Sequence, residues 1–247
     1  MAVNAEQQKT LLFVHVPKTA GTTLSTVVEQ QYLGQSLFVI HHDIRAERKR
    51  LAALGEQEKR QLRAVYGHQA WGWHEHLATD QPHAYITMLR DPVERVLSLW
   101  AHCQLKEHYL GPSVKGMDLV AFLTSGVTQT PDNGMVRQLC GRDEFLQKPG
   151  HDMAIPHGGV TRADLESAKA NLESCAVVGI AEQFDAFLGK MRQRFGWRNT
   201  GYRNTNVTCW PRLHVRDLDR RTLAAVEQST ALDWELYRLA VELSGGQ

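Results

Sequence analysis

The chain has 247 residues, 43% hydrophobic and 22% charged, and a formal net charge of +1. This is the composition of an ordinary folded domain with one sizeable core, not of a disordered or fibrous chain, and it lacks the basic excess of a surface committed to nucleic acid. No apolar run nears the roughly 18 residues of a membrane span, and the polar opening MAVNAEQQKT has no signal-peptide core, so a soluble, cytoplasmic, single-domain protein over residues 1–247 is expected.

The first element is the apolar run from Leu11 to Val16, which stops at Pro17; residues 21–30 then carry a helical pattern, giving strand, tight loop and helix. Further apolar runs at Leu37–Ile40, Ala64–Tyr66, Tyr85–Leu89 and Ala176–Ile180 alternate with helical patterns. This alternation predicts an α/β, P-loop-like three-layer fold with a central, mainly parallel sheet flanked by helices. Asp91-Pro92 opens the clearest helix, with Asp91 as cap, Pro92 in the first turn and Glu94 three residues after the cap. Helices are also expected over residues 162–173, 184–194, 218–228 and 232–243, the last two packing across one edge. The stretch 111–159, rich in Gly, Pro, Thr and Asp, reads as a substrate-side insertion. Cys103, Cys140, Cys175 and Cys209 form no CxxC pair, which points to reduced, buried thiols rather than a zinc ribbon or a disulfide framework.

The segment Val16-Pro-Lys-Thr-Ala-Gly-Thr-Thr-Leu24 runs from a strand into a helix start. Such a turn aims backbone N–H groups at a phosphate. Pro17, Thr19 and Ala20 shape the loop, Gly21 allows close approach, Lys18 adds positive charge, and Thr22 and Thr23 add hydroxyl donors. The same loop alone also suits an ordinary strand-to-helix turn. Its single glycine and preceding lysine depart from G-x-x-x-x-G-K-[ST], which disfavours a nucleoside triphosphatase. Arg90, at the end of the fourth run, and Ser98, on the helix that follows, form a second pair able to converge on an anion.

VPKTAGTTL resembles the 5'-phosphosulfate loop of sulfotransferases, specifically the carbohydrate type related to heparan sulfate 2-O-sulfotransferase, and Arg90 with Ser98 resembles that family's 3'-phosphate motif. The resemblance extends to residues 172–187, Asn206-Val-Thr208 and Leu232-Asp-Trp-Glu-Leu-Tyr237. It implies transfer of a sulfuryl group from 3'-phosphoadenosine 5'-phosphosulfate (PAPS) to a carbohydrate hydroxyl or amine, leaving 3'-phosphoadenosine 5'-phosphate (PAP). In that picture Lys18 contacts the bridging oxygen, residues 19–23 surround the 5'-phosphate, and residues 203–208 close over the donor. Gly67-His68 resembles the glycine-histidine pair that carries the catalytic base. The relatives' second histidine, two positions earlier, is replaced by Tyr66, so a supporting role is absent or has moved to His74 or His76. Glu75 is the runner-up base.

Histidine suits proton abstraction near neutral pH, and charge growing on the released phosphate needs a cation such as Lys18. No metal is required, and His74-x-His76 without a third ligand is a weak metal signal. Trp71 and Trp73 share a face if their segment is extended and would then offer a platform to a sugar ring. Asn133 and Arg137, in Asp-Asn-Gly-Met-Val-Arg137, resemble a recurrent family segment and are candidate acceptor contacts. The basic residues from Arg45 to Arg63 read as a solvated helix face. A P-loop-like small-molecule kinase and a non-catalytic nucleotide- or glycan-binding module are the competing readings.

Overall fold

In a computed structural model that describes residues 5–41, 43–105, 108–142, 155–203 and 213–245, every one of the five apolar runs is a strand. They are β1 (Thr10–Val14), β2 (Ser36–Ile40), β3 (Leu62–Gly67), β4 (His83–Leu89) and β5 (Val177–Ile180). All pair in parallel in the order β2-β3-β1-β4-β5. Central β1 is buried along its whole length, as a parallel strand covered on both faces must be.

Alternation along β1 builds both cores. Leu11 and Phe13 face α1 (Gly21–Gln31), meeting Leu24, Val27 and Val28, in a cluster that also takes Phe187 and Leu188 from the later helix Phe184–Phe195. Leu12 and Val14 face the opposite layer, with Trp73, Met135, Leu165 and Leu236. The remaining helices are α2 (Ile44–Ala52), α3 (Glu56–Gln61), α4 (Pro92–Cys103), α5 (Gly111–Val114), α6 (Leu119–Thr124), α7 (Gly134–Leu139), α8 (Arg162–Glu173), α9 (Phe184–Phe195), α10 (Arg220–Ser229) and α11 (Ala231–Gly245). A third apolar cluster joins α4, α5 and α6 to Val226 of α10.

Asp91 caps α4, its carboxylate accepting from the Glu94 N–H at 3.0 Å, with Pro92 as first helical residue. The Glu94 carboxylate does not close back on the cap residue: it accepts from Arg90 Nη2 at 3.3 Å, and the Asp91 N–H donates to Glu182 Oε1 at 3.1 Å. The two C-terminal helices form but separate, α11 packing on β5, α8 and α7 while α10 packs on α6 and α4.

The stretch 111–159 holds part of the core. Met135, Val136 and Leu139 of α7 are fully buried, and α7 is anchored from 98 residues away. The Asp233 carboxylate accepts from the Met135 and Val136 amides at 3.0 and 2.9 Å and from Arg95 Nη2 at 3.1 Å. It thereby caps the first turn of α7 with a side chain from α11. Burial pushes the Asp233 carboxyl up and Arg95 pulls it down.

The chain leaves β1 toward β2 on one side and, after β3, crosses to β4 on the other. Connections therefore diverge at the carboxyl edge of β1, the position at which open parallel sheets accept ligands.

Candidate active site

Three neighbouring strands deliver the candidate residues to this edge: β1 leads to Lys18, β3 ends at Gly67 before His68, and β4 ends at Leu89 before Arg90. In the loop, Lys18 and Ala20 both take left-handed backbone angles, φ 68° and 64°. Ala20 is the N-cap of α1 and makes no side-chain cap bond. Alternating handedness turns successive amides inward, and the uncapped helix start adds the positive end of its dipole. A loop of this shape suits a phosphate.

Thr19 is fully buried, its hydroxyl donating to the Val16 carbonyl at 2.7 Å. It staples the loop with its side chain and leaves only backbone to offer an anion. Thr22 is exposed and Thr23 buried, while Pro17 is buried beneath the loop. Arg90 Nη1 donates to the Lys18 carbonyl at 3.2 Å, so the two cationic residues adjoin. Burial pushes the Lys18 amine below its ordinary value, Cys103 works against that shift, and Arg90 adds to it. Ser98 is half-buried on α4, one turn beyond Glu94 on the same helical face as the Arg90 partner.

His68 follows a glycine that the fold requires. Gly67 has φ +139°, and a Cβ there would stand 2.9 Å from Ile40 Cβ, so only glycine lets β2 and β3 close at that point. The imidazole of His68 stacks on His15, ring centroids 4.1 Å apart. His15 is a residue that sequence reasoning passed over as part of the first strand. A ladder of amides fixes the edge between them: Gln138 Nε2 donates to both His15 O and Gln69 O at 2.7 Å, and Gln69 Nε2 donates to Phe13 O at 2.7 Å. From α4 and the segment after it, His102 and His108 meet edge to face at 4.8 Å. Burial first, then Lys18, His108 and His68, pushes His102 down to about 4.

Tyr66, where a second histidine was sought, faces α1, and its hydroxyl donates to Glu29 Oε1 at 2.8 Å. His74 is committed elsewhere, its ring stacked on His83 and its Nδ1 3.0 Å from the Tyr85 hydroxyl. Glu75 is exposed on a 3-10 turn at Trp73–His76, its charge acting on His74 and His76.

Two expectations need correction. The Trp71–Trp73 platform fails because Trp73 lies in that 3-10 turn and is completely buried beside Phe38, with Arg48 over its ring. Trp71 instead stacks on Tyr85 at 3.7 Å. Asn133 and Arg137 are equally internal. Asn133 Oδ1 accepts from the Leu232 N–H at 2.9 Å at the start of α11. Arg137 is 1% exposed and donates to Asp132 Oδ2, Ile155 O and Pro156 O. Burial with every polar group committed inward removes both from acceptor contact. Residues 204–208 lie outside the described residues, as does Cys209; the other three cysteines are buried. Among the described residues no group of three or more side chains could hold a metal ion, and no helix is long and apolar enough to cross a membrane.

A cradle with an uncapped helix start, flanked by lysine, arginine and histidine from adjacent parallel strands, defines the α/β class that binds phosphorylated ligands at this edge. Residues 2–147, which contain Lys18, His68, Arg90 and Ser98, match the model described as "Sulfotransferase family". The chain belongs to the sulfotransferase family. It is similar to heparan-sulfate 6-O-sulfotransferase 1 of Homo sapiens, 29% identical over an alignment of 189 residues that covers 68% of this chain and 44% of the relative. It is also similar to heparan-sulfate 6-O-sulfotransferase 1-A of Danio rerio, 30% identical over 182 residues, 63% of this chain and 42% of the relative. The chain thus spans less than half the length of these relatives, which carry 6-O rather than 2-O specificity in their names.

The cytoplasmic expectation is corrected by these matches. Both relatives are named for heparan sulfate, which does not support a cytoplasmic assignment, and a polar opening segment says nothing about compartment in a chain that covers only part of its relatives.

Proposed function

We propose that the chain transfers a sulfuryl group from PAPS to a hydroxyl of a carbohydrate acceptor. The observation that carries this reading is the meeting of the Lys18 loop, Arg90 and His68 at one carboxyl edge, with Arg90 Nη1 3.2 Å from Lys18 O, in a chain of the sulfotransferase family. The loop amides of residues 19–23 and the start of α1 would hold the 5'-phosphosulfate. Arg90, with Ser98 on the adjoining helix, would take the 3'-phosphate, the guanidinium supplying planar paired donors.

In the reaction the acceptor oxygen attacks sulfur, His68 takes the hydroxyl proton, and the bond from sulfur to the phosphate oxygen breaks. The electron pair stays on that oxygen, which becomes part of PAP, and Lys18 stabilises the growing charge. A carbohydrate acceptor is favoured by the relatives, which are named for heparan sulfate.

The test is turnover of PAPS on unsulfated and N-sulfated heparosan, read as mass added to the polysaccharide, for the wild type and His68→Ala. The expected result is sulfate incorporation by the wild type that falls by about 100-fold or more on removing the base. PAP binding without any incorporation on these or simpler sugars would instead make the chain a nucleotide-binding module.

A further inference from the structure

His15 is one residue beyond β1 and 6% exposed, in the middle of the donor cradle and the base. Its ring is held by three neighbours. One face stacks on His68 at 4.1 Å with 28° between planes, and it also stacks with Phe13 at 5.5 Å and 9°. Its Nε2–Cδ2 edge lies so close to Gly21 that a Cβ there would stand only 1.8 Å from Cδ2 and 2.0 Å from Nε2. Its backbone is fixed by the His15 N–H donating to Gly67 O at 3.3 Å and by Gln138 donating to its carbonyl.

An imidazole that must accept a proton has to be held within roughly 0.5 Å and 10–20° of its working position. The paired strand end at Gly67 and the amide ladder at Gln69 fix the His68 backbone, but the side-chain torsions that aim the imidazole need a neighbour of their own. We infer that His15 is the positioning residue for His68, its buried ring serving as the flat surface that fixes the orientation of the base. The inference rests on the proposed role of His68.

The chemistry of the stack fits that task. Burial pushes His15 well below the ordinary histidine value, and the neighbouring charges of His68 and Lys18 push it further down. A neutral ring can cover one face of His68 without setting a fixed cation against the group that must become one. The role sought at His74 or His76 is thus filled from the first strand. Gly21 also takes on a meaning that a phosphate loop alone would not give it: besides admitting a ligand, it makes room for His15.

The test compares His15→Ala and His15→Gln, the second retaining a planar group of similar reach. Three quantities are measured: kcat, PAP affinity by calorimetry, and the His68 Cε1–H proton resonance, assigned by its loss in His68→Ala. In His15→Ala we expect kcat to fall by about 10- to 100-fold, with PAP Kd within two-fold of the wild type. The His68 resonance should move downfield as it loses the ring current of its neighbour. His15→Gln should recover a substantial part of kcat. In a His68→Ala background, His15→Ala should cost no more than two-fold further.

An equal loss in that background, or a loss carried wholly by PAP affinity, would overturn the positioning role while leaving the base assignment standing. Should His15→Ala fail to fold, His15→Ser, which also lacks a flat group, takes its place: wild-type kcat in that variant overturns the inference. Full activity of His68→Ala would overturn the base assignment and the inference together.

Discussion

Gly21→Ala is the most instructive single change, because its effect is set by a side chain six residues earlier. Gly21 is the first residue of α1 and has an ordinary helical backbone, so alanine would favour the helix by up to about 1 kcal/mol if space allowed. Space does not allow it: the new methyl would stand 2.6 Å from His15 Cγ and nearer still to Cδ2 and Nε2, where ordinary contact begins at 3.4 Å. Overpacking of this kind costs about 1–3 kcal/mol, so the net loss of stability is roughly 0–3 kcal/mol. The ring must retreat by more than 1 Å, and a displacement of about 1 Å at reacting groups already costs up to 100-fold in rate. Any such shift of His15 alters its stacking on His68, which it meets at 4.1 Å. We therefore expect a folded enzyme with kcat lowered by about 10- to 100-fold. Steady-state turnover at saturating donor and urea unfolding measure the two effects. The double variant Gly21→Ala, His15→Ala should be no slower than His15→Ala alone. Wild-type kcat in Gly21→Ala, or a double variant whose losses simply multiply, would refute the reasoning.

Acid stability follows from the same histidines. Their folded-state pKa values lie below the unfolded value, so above pH 6.5 neither state is protonated and no effect is seen; as pH falls below 6.5 the unfolded chain takes up protons that the fold refuses. For His102 the loss continues down to about pH 4. The melting temperature of His102→Gln should therefore fall less between pH 7 and 5 than that of the wild type, and parallel curves would contradict this. The buried pair at the start of α7 gives a stability prediction. Asp233→Ala leaves Arg95, 0% exposed, without its carboxylate, which should cost about 3–5 kcal/mol in urea unfolding, whereas Asp233→Ala with Arg95→Met should recover only part of it, because the Met135 and Val136 amides still lack their acceptor.

The parts legible in the sequence were those written locally. Five apolar runs, each bounded by breakers or polar segments, are the five strands, and Asp91-Pro92 marks a helix start because cap and N1 preferences act within four residues. The loop at Lys18 was legible for the same reason. What escaped depends on pairing across the chain. Asn133 and Arg137 lie in a Gly- and Asp-rich stretch that resembles a surface loop, yet Asn133 caps a helix 99 residues later and Arg137 is satisfied by carbonyls at Ile155 and Pro156. No periodicity reports a bond of that range. Trp73 was misplaced because alternation applies to extended backbone, and Gly72, at φ +110°, turns the chain into a 3-10 turn instead. His15 was hidden by its setting: a lone polar residue at the end of a buried strand carries no mark of a partner that arrives 53 positions later.

The claim on which the account turns is that a single ligand bearing phosphates at both the 3' and 5' positions is gripped at once from β1 and β4. Calorimetric titration of PAP and of adenosine 5'-phosphate into the wild type, Lys18→Ala and Arg90→Ala tests it directly. The account predicts that the wild type binds PAP far more tightly than the monophosphate, that Arg90→Ala reduces PAP to the affinity of the monophosphate, and that Lys18→Ala weakens both. Equal affinity of the wild type for the two nucleotides, or an Arg90→Ala variant that still prefers PAP by the full margin, would contradict it.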